Sequence, residues 1–156
     1  MKKDMIFKEL IQLDWEVENQ DDFFNKIAQK LKKLGYVKET YEEALKRREE
    51  NYPTALPIAP YPVAIPHADP EHIIKPFIAS TRLKNPIEWR EMANNDVIHH
   101  VQIIFVLGFV QSEEHIELLQ VLIENLQNVE LMKHFMSVTS EEEYYELICE
   151  MKGMDS

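Results

Sequence analysis

The stretch that most constrains the fold of this chain is Val101–Leu107, with the sequence VQIIFVL. Nearly all of its residues are apolar, and β-branched side chains predominate. A strand of this composition is typical of a sheet that is covered on both faces. Gly108 can end the strand, and Ser112 can cap a helix that runs to about Leu126. A buried strand followed directly by a helix predicts an α/β protein.

The N-terminal part of the chain predicts one strand and one helix. Leu10–Leu13 is a weak strand candidate. Asp21 or Asp22 is placed to cap a helix, and Gly35 is placed to terminate it. Within these bounds the apolar residues recur at helical spacing, at Phe24, Ile27, Leu31 and Leu34.

The middle of the chain predicts a further helix and strand. The residues TYEE, beginning at Thr40, form a capping box, so a helix is expected from Tyr41 to about Glu50. Phe77–Leu83 has the composition of a strand. Pro86–Trp89 predicts a turn towards another strand, and Asn94–Asp96 predicts a loop.

Two short helices are predicted near the C-terminus, at Val129–Met136 and Glu141–Met151. A capping box at Ser140–Glu143 begins the second of them. The alternation along the chain predicts a single-domain α/β sandwich over residues 1–156. We expect a central mixed, partly parallel sheet flanked by helices.

A proline-rich segment presents a single histidine, His67. All 8 prolines of the chain lie between Pro53 and Pro86, and Pro66 directly precedes His67. Because proline fixes its φ angle and lacks an N–H group, Pro66 is expected to stop regular strand pairing. Such a rigid loop suits holding one side chain in one orientation, although a histidine at this place can also merely cap a strand.

A second histidine, His115, is expected on the inward face of the first turn of the helix that follows the buried strand. Ligands of open α/β sheets collect where strand ends meet helix N-termini, so we expect His67 and His115 to share a pocket. A helix N-terminus favours an anion there, although Glu113 and Glu114 oppose it unless they point outward.

Arg47 and Arg48 lie at the end of the predicted second helix, where positive charge is common on a solvated face. One of the two can nevertheless turn inward. Two imidazoles and an arginine around one pocket predict a phosphate site, in which a histidine can itself be the nucleophile.

Composition excludes several classes of function. A formal charge of -11 argues against binding to nucleic acid or to anionic membranes. The 3 glycines form no phosphate-binding loop, and we expect no cofactor. No apolar run approaches the roughly 20 residues of a membrane span, and the polar N-terminus does not have the pattern of a signal peptide. The single cysteine rules out an intramolecular disulfide and predicts a cytoplasmic protein.

The other histidines and the cysteine predict no chemistry. His72 lies on a proline-broken loop without a second set of ligands at a recognised spacing, so no metal site is predicted. His99 and His100 are adjacent before a strand and should face opposite ways. His134 is expected on the surface, and Cys149 is expected to pack within an amphipathic helix.

Several motifs resemble one known family. They are Arg48-Glu49 followed by Tyr52-Pro53-Thr54, the run Val63–His67 (VAIPH), and the helix start Glu114-His115. Together they resemble the enzyme IIA domain of the fructose–mannitol class of the sugar phosphotransferase system, most of all its galactitol-type members. The resemblance extends over most of the chain. Ala68-Asp69 differs from the residues that many relatives carry after the histidine. The motifs therefore do not identify which sugar the system transports.

The resemblance implies a phosphoryl carrier. In this family the histidine of the motif accepts a phosphoryl group from the phosphocarrier protein HPr and passes it to a cysteine of enzyme IIB, which serves the membrane component IIC. By the resemblance, His67 is the acceptor, His115 its neighbour, Arg48 the stabilising cation and Thr54 a candidate hydroxyl contact. A non-catalytic relative, whose phosphorylation state gates binding to a partner, is the alternative.

Overall fold

The computed structural model describes residues 2–154, except for the side chains of residues 112–114. The described part contains five strands and five α-helices, which occur in runs rather than in the expected alternation. In order they are β1 (Ile6–Trp15), α1 (Gln20–Lys33), α2 (Tyr41–Asn51), β2 (Ala55–Leu56), β3 (Val63–Ala64), β4 (Phe77–Glu91), β5 (Asn94–Gly108), α3 (Ser112–Leu126), α4 (Val129–Ser137) and α5 (Glu141–Cys149).

The five strands form one mixed sheet, built around a long antiparallel hairpin of β4 and β5. Strand β1 lies parallel to β4 on one side, and the short strand β3 lies parallel to β5 on the other. Strand β2 pairs antiparallel to β3, and its Ala55 also pairs with Glu91 of β4. The expected mixed, partly parallel sheet is confirmed.

The helices cover both faces of the sheet. One apolar cluster packs α1 and α2 against one face, with Phe23, Phe24 and Trp89 near its centre. A second cluster packs α3, α4 and α5 against the opposite face, around residues such as Phe105 and Phe135. Val101–Leu107 is buried except for the half-buried Gln102, as a strand covered on both faces requires. The sandwich architecture is therefore confirmed.

The strands are longer than the sequence pattern predicted. Strand β1 extends well beyond Leu10–Leu13, and β4 continues through Pro86–Trp89, so the predicted turn is wrong. A register irregularity between Arg82 and Ile87 accommodates Pro86, because the disturbed pairing does not require its missing N–H. The predicted loop Asn94–Asp96 instead begins β5 after a tight turn at Met92 and Ala93.

Two predicted helix caps are wrong. Helix α1 is capped by Asn19, whose side chain accepts from the Asp22 amide, and neither aspartate occupies the cap position. The Thr40 side chain makes no cap hydrogen bond, because its hydroxyl pairs with His72 Nδ1 at 2.7 Å instead. Gly35 does end α1, with a φ of +88° that disfavours other residues.

The C-terminal predictions were more accurate. Ser140 caps α5 by accepting from the Glu143 amide, as its capping box predicted. Helix α5 ends at Cys149, slightly before the predicted Met151. The N-cap position of α3 is Gln111, and the predicted capping side chain of Ser112 lies outside the described residues. None of the helices in the described part of the chain is long and apolar enough to cross a membrane.

Candidate functional site

His67 stands at the end of the short strand β3. Pro66 has no N–H, but its carbonyl accepts from the Leu107 amide at 3.1 Å, so the chain keeps one isolated parallel bridge to β5 at His67. Only 7% of His67 is exposed. The proline-rich segment thus fixes one imidazole at the edge of the sheet, beside the loop that leads into α3.

The tautomer of His67 follows from one hydrogen bond. Its Nδ1 lies 2.9 Å from the carbonyl oxygen of Ile65. A carbonyl can only accept, so Nδ1 carries the proton in the neutral ring and Nε2 keeps its lone pair. The nitrogen available to a reaction partner is therefore Nε2.

His115, in the first turn of α3, contacts the ring of His67 directly. The two ring centroids are 4.6 Å apart, with the rings inclined at 70°. Phe109 lies beside both imidazoles, 4.7 Å from the His115 ring and 6.2 Å from the His67 ring. His115 Nε2 is buried and has no hydrogen-bond partner among the residues that the structure describes, so it is available to a ligand.

Of the two arginines at the end of α2, Arg48 turns towards the histidines. Its guanidinium donates to Asp69 at 3.2 Å and lies over the ring of Tyr52 at 5.4 Å. Its Nε is buried, and within the described part of the chain it meets no acceptor. Arg47 is exposed and pairs with Glu43 one turn earlier on the helix.

These side chains surround one open cavity of about 480 Å³. Arg48, Thr54, His67 and His115 all line it, so the structure brings together the four residues that the sequence singled out. The cavity contains a neutral imidazole, a second imidazole and a guanidinium, each with a nitrogen left for an incoming group. Such a set can bind a phosphoryl group and present a nucleophile to it.

The structure adds a residue that the sequence analysis did not assign a role, Glu49. Its carboxylate is 6% exposed and accepts three hydrogen bonds, from Thr54 N, Thr54 Oγ1 and Trp89 Nε1, at 2.7 to 2.8 Å. A signal was present in the sequence, because Glu49 continues the spacing of the buried residues Tyr41 and Leu45 on α2. A carboxylate on a buried stripe needs partners in the core.

The remaining histidines do not line this cavity, and His99 and His100 lie within β5 rather than before a strand. His134 is exposed, and His99 and His100 alternate in exposure along β5. Cys149 is half-buried and packs against the apolar cluster of the C-terminal helices. The described residues contain no group of three or more histidine, cysteine or acidic side chains placed to hold a metal ion.

Burial shifts the acid–base behaviour of the site. It lowers the pKa of His67 to about 4, and the nearby His115 and Arg48 act in the same direction, against the Ile65 carbonyl and Asp69. Burial also lowers the pKa of His115, assisted by Arg48. It raises the pKa of Glu49 to about 7, although the donors from Thr54 and Trp89 oppose this. Both imidazoles are therefore neutral at pH 7.

The His67 pKa predicts how acid acts on stability. The unfolded chain has the ordinary histidine pKa of about 6.5, so it binds the proton more readily than the folded protein between pH 6.5 and pH 4. Glu49 has the opposite effect on stability below pH 7, because the folded protein binds its proton more readily than the unfolded chain does. The unfolding free energy of the wild type therefore depends on both groups. We therefore expect the wild type to lose, relative to His67→Gln, on the order of 2–3 kcal/mol of unfolding free energy between pH 6.5 and pH 4.

Urea unfolding of both proteins across this pH range measures the difference. His134→Gln, which removes an exposed histidine, is the control and should follow the wild type. Parallel curves for the wild type and His67→Gln would show that His67 titrates normally.

Solved structures share the fold of this protein. It superimposes on the complex of mannitol enzyme IIA with phosphorylated enzyme IIB from Escherichia coli with a TM-score of 0.73, at 21% identity over 90% of this chain and 94% of that one. The nitrogen regulatory protein IIA-Ntr from Neisseria meningitidis gives a TM-score of 0.74, at 23% identity over 94% and 97% of the two chains. The fold is that of the phosphotransferase-system IIA proteins.

Residues 4–151 match the family model described as "Phosphoenolpyruvate-dependent sugar phosphotransferase system, EIIA 2". The chain belongs to this family. The galactitol-specific EIIA component of Escherichia coli K12 is 23% identical over 81% of this chain and 85% of its own length. The fructose-specific EIIABC component of Bacillus subtilis is 24% identical over 93% of this chain, which spans 22% of that longer protein.

Proposed function

We propose that this protein is a phosphoryl carrier that accepts a phosphoryl group on His67 Nε2 from phosphorylated HPr and passes it to a cysteine of an enzyme IIB. The observation that carries the proposal is the hydrogen bond from His67 Nδ1 to the Ile65 carbonyl. It leaves the other ring nitrogen unprotonated and fixed in direction, as a nucleophile requires.

Transfer exchanges one phosphorus–nitrogen bond for another. The Nε2 lone pair attacks phosphorus, and the electrons of the breaking bond return to the donor's histidine nitrogen. The low pKa of His67 keeps the ring neutral, so no base has to remove a proton first. The positive charge that develops on the His67 ring is partly stabilised through Nδ1–H by the Ile65 carbonyl.

The transferring oxygens need positive or hydrogen-bond-donating partners. Arg48 can supply its guanidinium, at the expense of its present bond to Asp69, and His115 can supply an N–H from a ring that contacts His67. Thr54 is the weaker contact, because its hydroxyl proton is already donated to Glu49 at 2.7 Å. We assign Arg48 and His115 the main stabilising roles.

The relatives support a sugar-transport role. A IIA–IIB complex among similar structures supports enzyme IIB as a partner. HPr as the donor and a membrane IIC served indirectly are further parts of the proposal. Since the galactitol-specific relative is matched over 85% of its own length, we propose a galactitol-type system. Discharge rates to galactitol-specific and fructose-specific IIB proteins would test the sugar.

The direct test is incubation with phosphoenolpyruvate, enzyme I and HPr, followed by intact mass and peptide mapping. We expect one phosphoramidate on the peptide that contains His67, labile in acid and stable in base. It should discharge when a cognate IIB is added. A wild-type protein that stays unmodified beside a demonstrably active donor would overturn the proposal.

A regulatory role is the second candidate, because the same fold occurs in the nitrogen regulatory protein IIA-Ntr. A regulator of this kind can become phosphorylated on the same histidine without feeding a sugar. The two roles separate at the discharge step. A phosphorylated protein that transfers to no IIB, but binds a partner in only one phosphorylation state, would favour regulation.

A separate prediction concerns His115 and the two steps of the reaction, acceptance of the phosphoryl group and its transfer to IIB. We expect His115→Ala to become phosphorylated, because the nucleophile is intact, but to pass the group on about 10- to 100-fold more slowly. That factor is the expected loss of one hydrogen bond to a charged group. Quenched-flow transfer to IIB measures it, with His99→Ala as a control outside the cavity. Recovery of the phosphoryl group on His115 in the wild type would reverse the assigned roles.

A further inference from the structure

We propose that Glu49 is a positioning residue, whose buried carboxylate sets the orientation and tautomer of His67 through the backbones of Thr54 and Ile65. The proposed role in transfer rests on the phosphoryl-carrier function above. The effect of Glu49 on the orientation and tautomer of His67 does not rest on that function, because it concerns the unphosphorylated protein.

The first hydrogen bonds of the chain connect Glu49, near the end of α2, with Thr54 in the segment that follows. Helix α2 ends at Asn51, and Pro53 has no N–H to offer. Thr54 then turns back, donating its amide to Glu49 Oε2 at 2.8 Å and its hydroxyl to Oε1 at 2.7 Å. Trp89, deep in the core, also donates to Oε2 at 2.8 Å. Three donors satisfy both carboxylate oxygens, which is how a buried acidic group is tolerated.

The second link passes from Thr54 to the histidine. The Thr54 carbonyl accepts from the Ile65 amide at 3.1 Å, and the Ile65 carbonyl accepts from His67 Nδ1 at 2.9 Å. A chain of hydrogen bonds therefore runs from Glu49 to His67 through the backbones of two residues, Thr54 and Ile65, each of which donates its amide and accepts at its carbonyl. Both Thr54 and Ile65 are buried, so water cannot easily replace a lost partner.

The position of the Ile65 carbonyl matters because it decides which ring nitrogen holds the proton. If the carbonyl shifts, the ring can rotate or place its proton on Nε2, the nitrogen that must attack. Glu49 is thus expected to act on the reaction without touching the phosphoryl group. Helix periodicity explains the burial of Glu49, because it follows the buried Leu45 by one turn on the same face of α2.

The test compares three substitutions at Glu49. Glu49→Leu removes every acceptor, and Glu49→Asp retracts the carboxylate by one methylene. Glu49→Gln can preserve the chain, since its amide oxygen can face the two N–H donors while the Thr54 hydroxyl reverses to accept. Leu45→Ala, which opens a cavity on the same helix, controls for a general loss of stability.

The readout is the pair of ring-nitrogen chemical shifts of His67 in long-range ¹H–¹⁵N spectra at pH 7.5. The wild type and Glu49→Gln should show a single Nδ1–H tautomer, as should Leu45→Ala. Glu49→Leu and Glu49→Asp should show averaged shifts, with kcat for phosphoryl acceptance reduced roughly 10- to 100-fold and KM for phospho-HPr unchanged.

Glu49→Asp keeps the test decisive if the leucine variant does not fold. Unchanged ring shifts in the aspartate variant would overturn the proposal, as would equal averaging in Leu45→Ala. Failure of the phosphoryl-carrier function would appear differently, as a wild type with a single tautomer that accepts no phosphoryl group.

Discussion

His67→Gln is expected to abolish phosphorylation by phospho-HPr, with a rate at least about 10⁴-fold below the wild type. The amide nitrogen of glutamine is not nucleophilic, because its lone pair is delocalised into the carbonyl. In the proposed mechanism His115 contacts the ring of His67 and assists it, so we expect no transfer to His115 in this variant. The measurement is the rate of mass gain in the complete donor system.

The matched control is His72→Gln. His72 belongs to the same proline-rich region, but its ring contacts the Thr40 hydroxyl and lies outside the cavity. This variant should be phosphorylated at the wild-type rate. A phosphoramidate that persists in His67→Gln would move the acceptor to another histidine and remove the basis of the proposed mechanism.

Arg48→Lys is expected to slow phosphoryl transfer by about 10- to 100-fold while leaving the fold intact. Lysine keeps the charge but loses the planar fork and the Nε donor, which in Arg48 is buried without an acceptor among the described residues. Stability should change little, because lysine can still pair with Asp69, whose side chain is exposed. Single-turnover transfer from phospho-HPr and thermal unfolding measure the two effects.

Arg47→Lys is the natural control, since Arg47 is the adjacent residue and its side chain is exposed and paired with Glu43. It should transfer at the wild-type rate. If Arg48→Lys transferred at the wild-type rate, Arg48 would contribute only its positive charge, and its planar geometry would not matter.

The limits of sequence reasoning are clearest at two places in the fold. The sequence predicts a turn at Pro86–Trp89, but β4 continues past Pro86, because an irregularity in the pairing with β5 removes the need for its amide. The capping box predicts that the Thr40 side chain caps α2, but its hydroxyl pairs with His72, more than thirty residues away. In both cases a distant partner overrode a correct local preference.

The candidate site, like the fold, was predicted only in part from the sequence. The sequence alone pointed to His67, through the proline that precedes it and through its motif, and to His115, through its place after the buried strand. Helix phase alone left both Arg47 and Arg48 possible, and only the resemblance of the motif favoured Arg48. The sequence also assigned Glu49 no role, because the partners of that carboxylate come from another segment and another strand.

The sequence by itself determined the layered α/β fold, because an apolar strand and amphipathic helices bury their faces in only a few ways. It also determined the family, through residues 4–151. Only the tertiary structure decided the protonation of His67 and the partners of Glu49. Those depend on burial and on hydrogen bonds between segments that are distant in the sequence, which exist only after the segments have packed together.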